Sequence, residues 1–137
     1  MSVLQTAIGM APNDASLHHM LGLALVRLKK PEEALHELHR ASELAPDRVQ
    51  YSYVYAVALH SADRKNEAMG TLEAVLARNP GNRNVLLALM TFSRDAGQLT
   101  VALSYAEQLA KLTPNDRGLA AFIQALKQKL DGSDIPR

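Results

Sequence analysis

Histidine is the residue type in this chain best suited to chemistry, and four of the five histidines lie in two close pairs. His36 and His39 are three positions apart, and His19 follows His18 directly. On a helix, two side chains three residues apart share a face and can present two ligands to one Zn²⁺ ion. However, the chain has no cysteine, and no carboxylate stands where it would clearly complete a ligand set. We therefore expect no metal at these histidines.

The sequence contains no pattern that is typical of an active site. It has no nucleophile and base pair, no glycine-rich phosphate loop and no paired carboxylates in a plausible pocket. Glu32 and Glu33 follow Pro31 and are explained by the favourable electrostatics of acidic residues at a helix N-terminus. Lys29 and Lys30 are explained as a solvated turn. We predict a non-catalytic protein that carries no cofactor.

Composition excludes several other classes of partner. The 137 residues include 47% hydrophobic side chains, which suffices for one folded domain or a short repeat array. A net charge of +1 gives no reason to expect nucleic acid or an anionic membrane as a partner. No stretch approaches the apolar length of a membrane span, and no signal peptide is visible. The compartment stays open: cytoplasmic by default, or periplasmic if the chain is part of a larger exported protein.

The elements that must position these residues follow a pattern with a period of 34. Each unit of the pattern has two adjacent residues, of which the first is large and apolar, then an alanine, and then a proline that ends the unit. It occurs three times without insertion, as Leu21-Gly22, Ala34 and Pro46, as Tyr55-Ala56, Ala68 and Pro80, and as Leu89-Met90, Ala102 and Pro114.

This pattern resembles the tetratricopeptide repeat, whose period is 34 residues. The resemblance covers nearly the whole chain and implies an all-α fold, a right-handed α-solenoid of antiparallel helix pairs. It also implies a protein–protein interaction module, because members of the family usually bind other proteins. The departures are the missing aromatic residue at position 4 of each repeat and the missing glycine at position 8 in the second and third repeats.

The register of the repeat predicts the organisation of the chain. Helices are expected over about 2–11, 15–28, from Pro31 to 45, from 49 to 62, 66–79, 83–96, 100–112 and 117–130. The predicted units are 1–14, the second helix of a truncated repeat with its linker; 15–48, 49–82 and 83–116, three full repeats; 117–130, a capping helix with polar Gln124 and Lys127 on its outer side; and 131–137, a polar tail. Gly97 is expected to close its helix as a C-terminal glycine.

One segment gives a conflicting local signal. The alternation from Tyr51 to Tyr55 is typical of a strand. The apolar face of a helix continues from Ala56 to Ala62, however, and the repeat register fixes its phase. We therefore predict a helix here, with Tyr51 and Tyr55 on one face and Tyr53 on another.

The repeat spacing also predicts how helices pack within a pair. Small residues at position 8 and position 20, such as Gly22 with Ala34, allow the two helices to approach closely. Larger residues fill the seam between them, Leu21 with Leu38 and Tyr55 with Leu72. The third repeat reverses the sizes, so we hypothesise that Met90 fills the space that Ala106 leaves.

The resemblance implies that the concave groove of the family is lined by the first helix of each repeat. Carried over position by position, it predicts an apolar groove with one tyrosine and a polar rim, a composition typical of binding hot spots. The predicted groove residues are His19, Leu23, Val26, Gln50, Tyr53, Val57, His60, Asn84, Leu87, Thr91 and Arg94.

One subclass of the family binds acidic C-terminal tails of heat-shock chaperones through a clamp of Lys, Asn and Arg side chains. This chain has His19 and Leu23 at the positions of the first two clamp residues, and Asn84 and Ala88 where Lys and Arg are expected. We therefore do not predict that ligand. The partner is expected to be a protein or peptide of unknown identity.

An alternative function is a non-catalytic helper domain of a larger bacterial enzyme or of a periplasmic multihaem electron-transfer protein. The segments from Tyr53 to Ala62 and from Leu86 to Leu89 resemble bacterial repeats of that kind. The half repeat at residues 3–11 further predicts that the chain is a fragment, or that another molecule covers its start. Its apolar residues Val3, Leu4, Ala7 and Ile8 would otherwise leave an uncapped end, through which a homodimer could form.

Overall fold

Eight helices account for most of the chain between residues 2 and 132, which are the residues that the computed structural model describes. No strand occurs within this range. The helices are α1 (Ser2–Met10), α2 (Ala15–Arg27), α3 (Pro31–Leu44), α4 (Val49–Ser61), α5 (Lys65–Arg78), α6 (Arg83–Asp95), α7 (Leu99–Leu112) and α8 (Arg117–Gly132). The all-α class is confirmed, and so is the helix over the tyrosine-rich segment. Because α8 extends to Gly132, only 133–137 of the predicted tail remain, and these lie outside the described residues.

Side-chain caps begin three of these helices at the same place in the 34-residue period. The Asp14 carboxylate accepts hydrogen bonds from the backbone N–H groups of Ser16 and Leu17, at 3.0 and 3.3 Å. Asn82 accepts one from the Val85 N–H at 3.0 Å, and Asp116 accepts one from the Leu119 N–H at 2.9 Å. Such caps satisfy backbone donors that have no partner inside the helix. The fourth equivalent position holds Arg48, which makes no side-chain cap bond.

The turn inside each helix pair has the same backbone geometry three times. Lys29, Asp63 and Gly97 are 34 residues apart and have positive φ angles of 61°, 63° and 78°. In each turn the next residue donates its N–H to a carbonyl five positions back, Lys30 to Leu25, Arg64 to Leu59 and Gln98 to Ser93. This is the Schellman arrangement that closes a helix. The expected role of Gly97 is confirmed.

The helices belong to two compact units, one up to Val75 and one from Leu76 onward. In the first unit, α2 and α3 pack against each other most extensively, and α4 packs on α3. In the second unit, α6 and α7 form the main helix pair and α8 packs on α7. The pairs α2 with α3 and α6 with α7 are thus two that the repeat register predicts.

The contact between Gly22 and Leu38 sets the spacing of α2 and α3. A Cβ atom built on Gly22 would lie 2.6 Å from Cγ and Cδ2 of Leu38 and 3.3 Å from its backbone nitrogen. Leu38 is fully buried, so relief of this overlap would require its side chain or α3 to shift. The predicted close approach at position 8 of the first repeat is confirmed.

Helix α1 covers the outer side of the same pair. Its Leu4 and Ile8 pack on a buried cluster of Leu21, Leu25 and Ala34. Val3 was predicted on this packed face, but that prediction is wrong, because its side chain is 79% exposed. Leu4 and Ile8 are four residues apart and share a face, which leaves Val3 turned away from it. The homodimer expected through this helix stays a prediction.

His18 ties three segments of the first unit together. Its Nδ1 lies 2.7 Å from Oε1 of Glu37 in α3, and its Nε2 lies 2.7 Å from the carbonyl oxygen of Pro12 in the linker after α1. Both partners accept when Glu37 is ionised, so both bonds form at once only when the ring carries two protons. His18 is buried, and these contacts explain it as a structural residue that joins the linker to α2 and α3.

The second unit is built on a cluster that contains both residues of the hypothesised volume exchange. Met90 and Ala106 are buried together with Leu86, Leu109 and Leu119. Phe122 and Ile123 of α8 pack against this cluster. Gln124 and Lys127 are exposed on the same helix, as expected for a polar outer side. The arrangement supports the exchange of volumes, which a double mutant can test.

Substitution of Gly22 should reveal how closely the first helix pair is packed. We expect Gly22→Ala to lower the free energy of unfolding by about 1–3 kcal/mol, because the new methyl group overlaps buried Leu38. The matched control is Gly70→Ala in α5, where no atom lies within 4 Å of an added Cβ. There alanine should stabilise by about 0.5–1 kcal/mol, through backbone entropy alone. Urea titrations of both variants measure this; a stabilising Gly22→Ala would contradict the close approach.

A double-mutant cycle tests the exchange between Met90 and Ala106. Met90→Ala should cost about 2–5 kcal/mol by leaving a cavity. Ala106→Leu alone should cost about 1–3 kcal/mol by overpacking. Because each change offsets the other, the double variant should be more stable than the sum by at least about 1 kcal/mol in chemical denaturation. Additivity within about 0.5 kcal/mol would show that the two sites do not share space.

Candidate functional site

An apolar crevice with a volume of about 500 Å³ lies in the first unit. Its size falls in the range of about 300–1,000 Å³ that is usual for ligand pockets. Its lining is almost entirely aliphatic and consists of Leu23, Val26, Lys29, Pro31, Ala34, Leu35, Leu38, Val54, Val57, Ala58, Ser61 and Ala62. We call this feature the crevice.

Three helices and one turn supply the lining. Leu23 and Val26 come from α2. Five further residues come from α4 and its C-terminal end, namely Val54, Val57, Ala58, Ser61 and Ala62. Buried residues of α3, among them Leu35 and Leu38, also contribute. Val26 is 47% exposed, so the crevice opens to solvent along α2. Each lining element is fixed by the helix pair packing described above, and a bound side chain would meet a preformed surface.

Only two of the twelve lining residues carry a polar side chain, Lys29 and Ser61. Lys29 lies in the turn between α2 and α3, and no ion pair holds its ammonium group among residues 2–132. Ser61 is exposed at the end of α4. The chemistry of the crevice is therefore that of apolar binding with one cation and one hydroxyl, without a nucleophile–base pair.

Three of the residues predicted for the groove line the crevice together, namely Leu23, Val26 and Val57. Gln50, Tyr53 and His60 belong to α4 as well but do not line it. Gln50 is exposed, and Tyr53 and His60 are half-buried. The role of Tyr53 in the groove, and of Gln50 and His60 in its polar rim, stays a prediction.

His19 was predicted to face the groove, and this is wrong. Its side chain is 8% exposed, and its ring centroid lies 4.6 Å from that of Tyr51 in α4. Its Nδ1 is buried without a hydrogen-bond partner. Burial lowers the pKa of His19, and the nearby Arg48 lowers it further. The ring is thus held neutral in the packing between α2 and α4, where it cannot contact a ligand in the crevice.

The four remaining predicted groove residues lie on α6 in the second unit. Leu87 is 48% exposed, Asn84 is exposed and Thr91 is half-buried. The guanidinium of Arg94 pairs with Asp95 at 3.0 Å and lies 5.5 Å from the ring centroid of Phe122. Leu87 and Asn84 are accessible to a partner, whereas Arg94 is engaged by its own unit.

The sequence interpretation missed the contributions of α3 and much of α4. Val54, Ala58 and Ser61 share a helical face with Val57, at spacings of three and four residues. That spacing was the available signal. Alanine and serine are small, however, and a crevice arises there because they leave space that larger side chains would fill.

The two histidine pairs were considered as metal ligands in the sequence. Among residues 2–132, no group of three or more His, Asp or Glu side chains is arranged to hold a metal ion. His36 and His39 each lie near a glutamate, with Nδ1 of His36 3.2 Å from Glu37 and Nδ1 of His39 3.7 Å from Glu43.

Within residues 2–132, none of the helices has the length and apolar character that a membrane span requires.

Comparisons with known proteins found a family model and solved structures that are similar to this chain. Residues 19–83 match the model of the family described as tetratricopeptide repeat. Among solved structures, one titled as a crystal structure of MamA superposes with a TM-score of 0.79 at 18% identity, covering 94% of this chain and 75% of that one. Residues 19–83 therefore resemble the tetratricopeptide repeat family, and the fold of the chain is similar to that of the solved structure.

Two further relatives carry a binding partner or site in their descriptions. YrrB, described as a tetratricopeptide repeat protein with an unusual peptide-binding site, has a TM-score of 0.69 at 25% identity, covering 82% of this chain and 57% of that one. The peroxisomal targeting signal receptor of Saccharomyces cerevisiae is 34% identical over 80 residues. Those residues are 58% of this chain but only 13% of the receptor, so the chain spans a small part of that relative.

The buried, neutral state of His19 predicts a dependence of stability on pH. Because the pKa of His19 is lowered in the fold, the unfolded chain takes up the proton first when the pH falls below about 6.5. Acidification should therefore destabilise the wild type through this residue, whereas His19→Phe, which keeps a ring against Tyr51, should lose less stability between pH 7.5 and 5. Denaturant midpoints at both pH values measure this difference. His36→Gln, on the exposed face of α3, is the control; an identical acid loss in His19→Phe and the wild type would refute the assignment.

Proposed function

We propose that this chain is a non-catalytic protein-interaction module that binds a peptide segment of its partner through the crevice. The observation that carries the proposal is a preformed apolar crevice of about 500 Å³ that contains three of the predicted groove residues. Aliphatic walls with few polar groups favour the burial of an apolar side chain rather than catalysis. The crevice would then be part of the concave groove formed by the predicted repeats 15–48 and 49–82.

The proposed mechanism is anchor burial. An apolar side chain of the bound segment would displace water from the walls formed by Leu23, Val26 and Val57. Burial of one large apolar side chain contributes about 1.5–3 kcal/mol, which makes it the main source of affinity in a small interface. Tyr53 and Gln50, outside the crevice on α4, would contact the flanking residues of the segment.

The comparisons support this class of function without identifying the partner. YrrB has a peptide-binding site according to its description, and the yeast relative is described as a receptor for a targeting signal. By analogy with them, we propose a protein or peptide partner for this chain.

A peptide-display selection tests the proposal directly. A random library of twelve-residue peptides is selected on the immobilised chain, and the enriched peptides are titrated against purified variants. Val26→Asp places a charge on a crevice wall that is already 47% exposed, so the fold should tolerate it. We expect it to weaken binding at least about tenfold, because the anchor would have to desolvate the new carboxylate.

The matched control is Val101→Asp, which makes the same change at a 39% exposed valine of α7 in the second unit. Binding should be unchanged there. Tyr53→Ala should weaken the same peptides by about 1 kcal/mol while leaving the circular dichroism spectrum intact. Equal affinities for Val26→Asp and Val101→Asp would count against the crevice.

A further inference from the structure

Lys29 is the only ionisable residue among the twelve that line the crevice. The two acidic residues closest to it in sequence, Glu32 and Glu33, are exposed in the first turn of α3. Glu32 lies 3.7 Å from Arg64, which provides it with a cationic partner. The ammonium group of Lys29 has no ion-pair partner within residues 2–132. It is therefore available to an anion brought by a ligand.

The backbone at Lys29 is unusual for a lysine. Its φ angle of 61° is the left-handed conformation, which is unfavourable for an L-residue and which glycine adopts without cost. The equivalent positions in the other two turns hold Asp63 and Gly97. Aspartate tolerates this conformation and glycine prefers it, so the turn itself gives no reason for a lysine. A role for the side chain explains why the unfavourable residue stands there.

The shape of the crevice defines what the anion must be attached to. Ten of the twelve lining residues have apolar side chains, so apart from Lys29 and the exposed hydroxyl of Ser61 the lining offers an anion no side-chain hydrogen-bond donor. A carboxylate is thus excluded from the interior by its desolvation cost and belongs beside Lys29, in the turn between α2 and α3. Partial exclusion of water by the apolar walls strengthens the attraction between the two charges.

We infer that the crevice binds a peptide segment in which a bulky apolar side chain is followed directly by an acidic residue, whose carboxylate pairs with Lys29. This inference rests on the proposed function and specifies its ligand. The apolar side chain supplies the affinity, and the ion pair fixes the direction and register of the segment. Specificity then requires both groups, because the apolar side chain matches only the walls and the carboxylate matches only the cation.

Three twelve-residue peptides test the inference. Each consists of glycine and serine around a central pair, with an acetylated N-terminus, an amidated C-terminus and a fluorescent label. The central pairs are Phe-Glu, Phe-Gln and Ala-Glu. Fluorescence anisotropy measures their affinities for the full chain, for Lys29→Met and for the neighbouring control Lys30→Met, since Lys30 does not line the crevice. Methionine keeps an unbranched side chain that is one atom shorter and removes the charge.

The wild type should bind the Phe-Glu peptide about two- to fivefold more tightly than the Phe-Gln peptide, the range expected for a partly exposed ion pair. Lys29→Met should abolish that preference and Lys30→Met should keep it. The preference should also disappear at about 1 M salt, where the screening length falls to about 3 Å. The Ala-Glu peptide should bind more weakly than both others, because it lacks the anchor.

The outcomes separate this inference from the function on which it rests. Equal affinity for Phe-Glu and Phe-Gln, with weaker Ala-Glu binding, would overturn the role of Lys29 and leave the apolar anchor supported. A preference for glutamate that survives in Lys29→Met would assign the carboxylate to another cation and overturn the inference as well. Equal binding of Phe-Glu and Ala-Glu, or no binding by any of the three peptides at millimolar concentration, would overturn both the anchor and the ion pair.

Discussion

The structure of the first unit depends on the contact of Leu38 with Gly22. The absence of a side chain at Gly22 allows α3 to approach α2 until Leu38 fills the gap, as the 2.6 Å separation from a hypothetical Cβ shows. Leu38 is fully buried in this seam and at the same time lines the crevice. One leucine therefore links the stability of the helix pair to the shape of the candidate binding surface. A site built in this way is rigid, since a well-packed interior resists small displacements.

A second constraint is the turn that closes the first helix of each pair. Its backbone hydrogen bonds and positive φ angles recur at Lys29, Asp63 and Gly97, while the three residue types differ. The repeated geometry shows that the fold needs the turn, and the differing residues show that the fold alone does not choose the side chain. Where the turn borders the crevice, the residue is a lysine. The geometry required by folding thus places a cation among the residues that line the crevice.

The period of 34 made the helices predictable, because prolines, small residues and apolar positions repeat together over three units. The close approach at Gly22 followed from the same register. The exact face of α1 did not, because Val3, Leu4, Ala7 and Ile8 spread over a wide arc of the helix; Leu4 and Ile8 pack inward, whereas Val3 is left exposed. Capping by Asn82 and Asp116 could have been read from the sequence, because both are short polar residues just before a helix.

The candidate site was less predictable for two physical reasons. Leu23, Val26 and Val57 were located by register, but the crevice also depends on small residues of α4 whose effect is to leave space. His18 and His19 were weighed as metal ligands or groove residues on the basis of their chemistry. Their environments depend on Glu37 and Tyr51, which are 19 and 32 positions further along the chain, and a local pattern does not show such contacts. Both histidines are buried, and their positions in the packed interior give them structural roles.

The central claim is that the crevice is the surface at which a partner binds. Methyl-selective ¹³C NMR of the labelled chain, titrated with a peptide obtained by display selection, tests it most directly. The account predicts that the largest chemical-shift changes occur at the methyl groups of Leu23, Val26, Val54 and Val57, with little change in the second unit. Changes centred on exposed Leu87, Val101 or Leu112 of the second unit, with the crevice methyl groups unaffected, would contradict it.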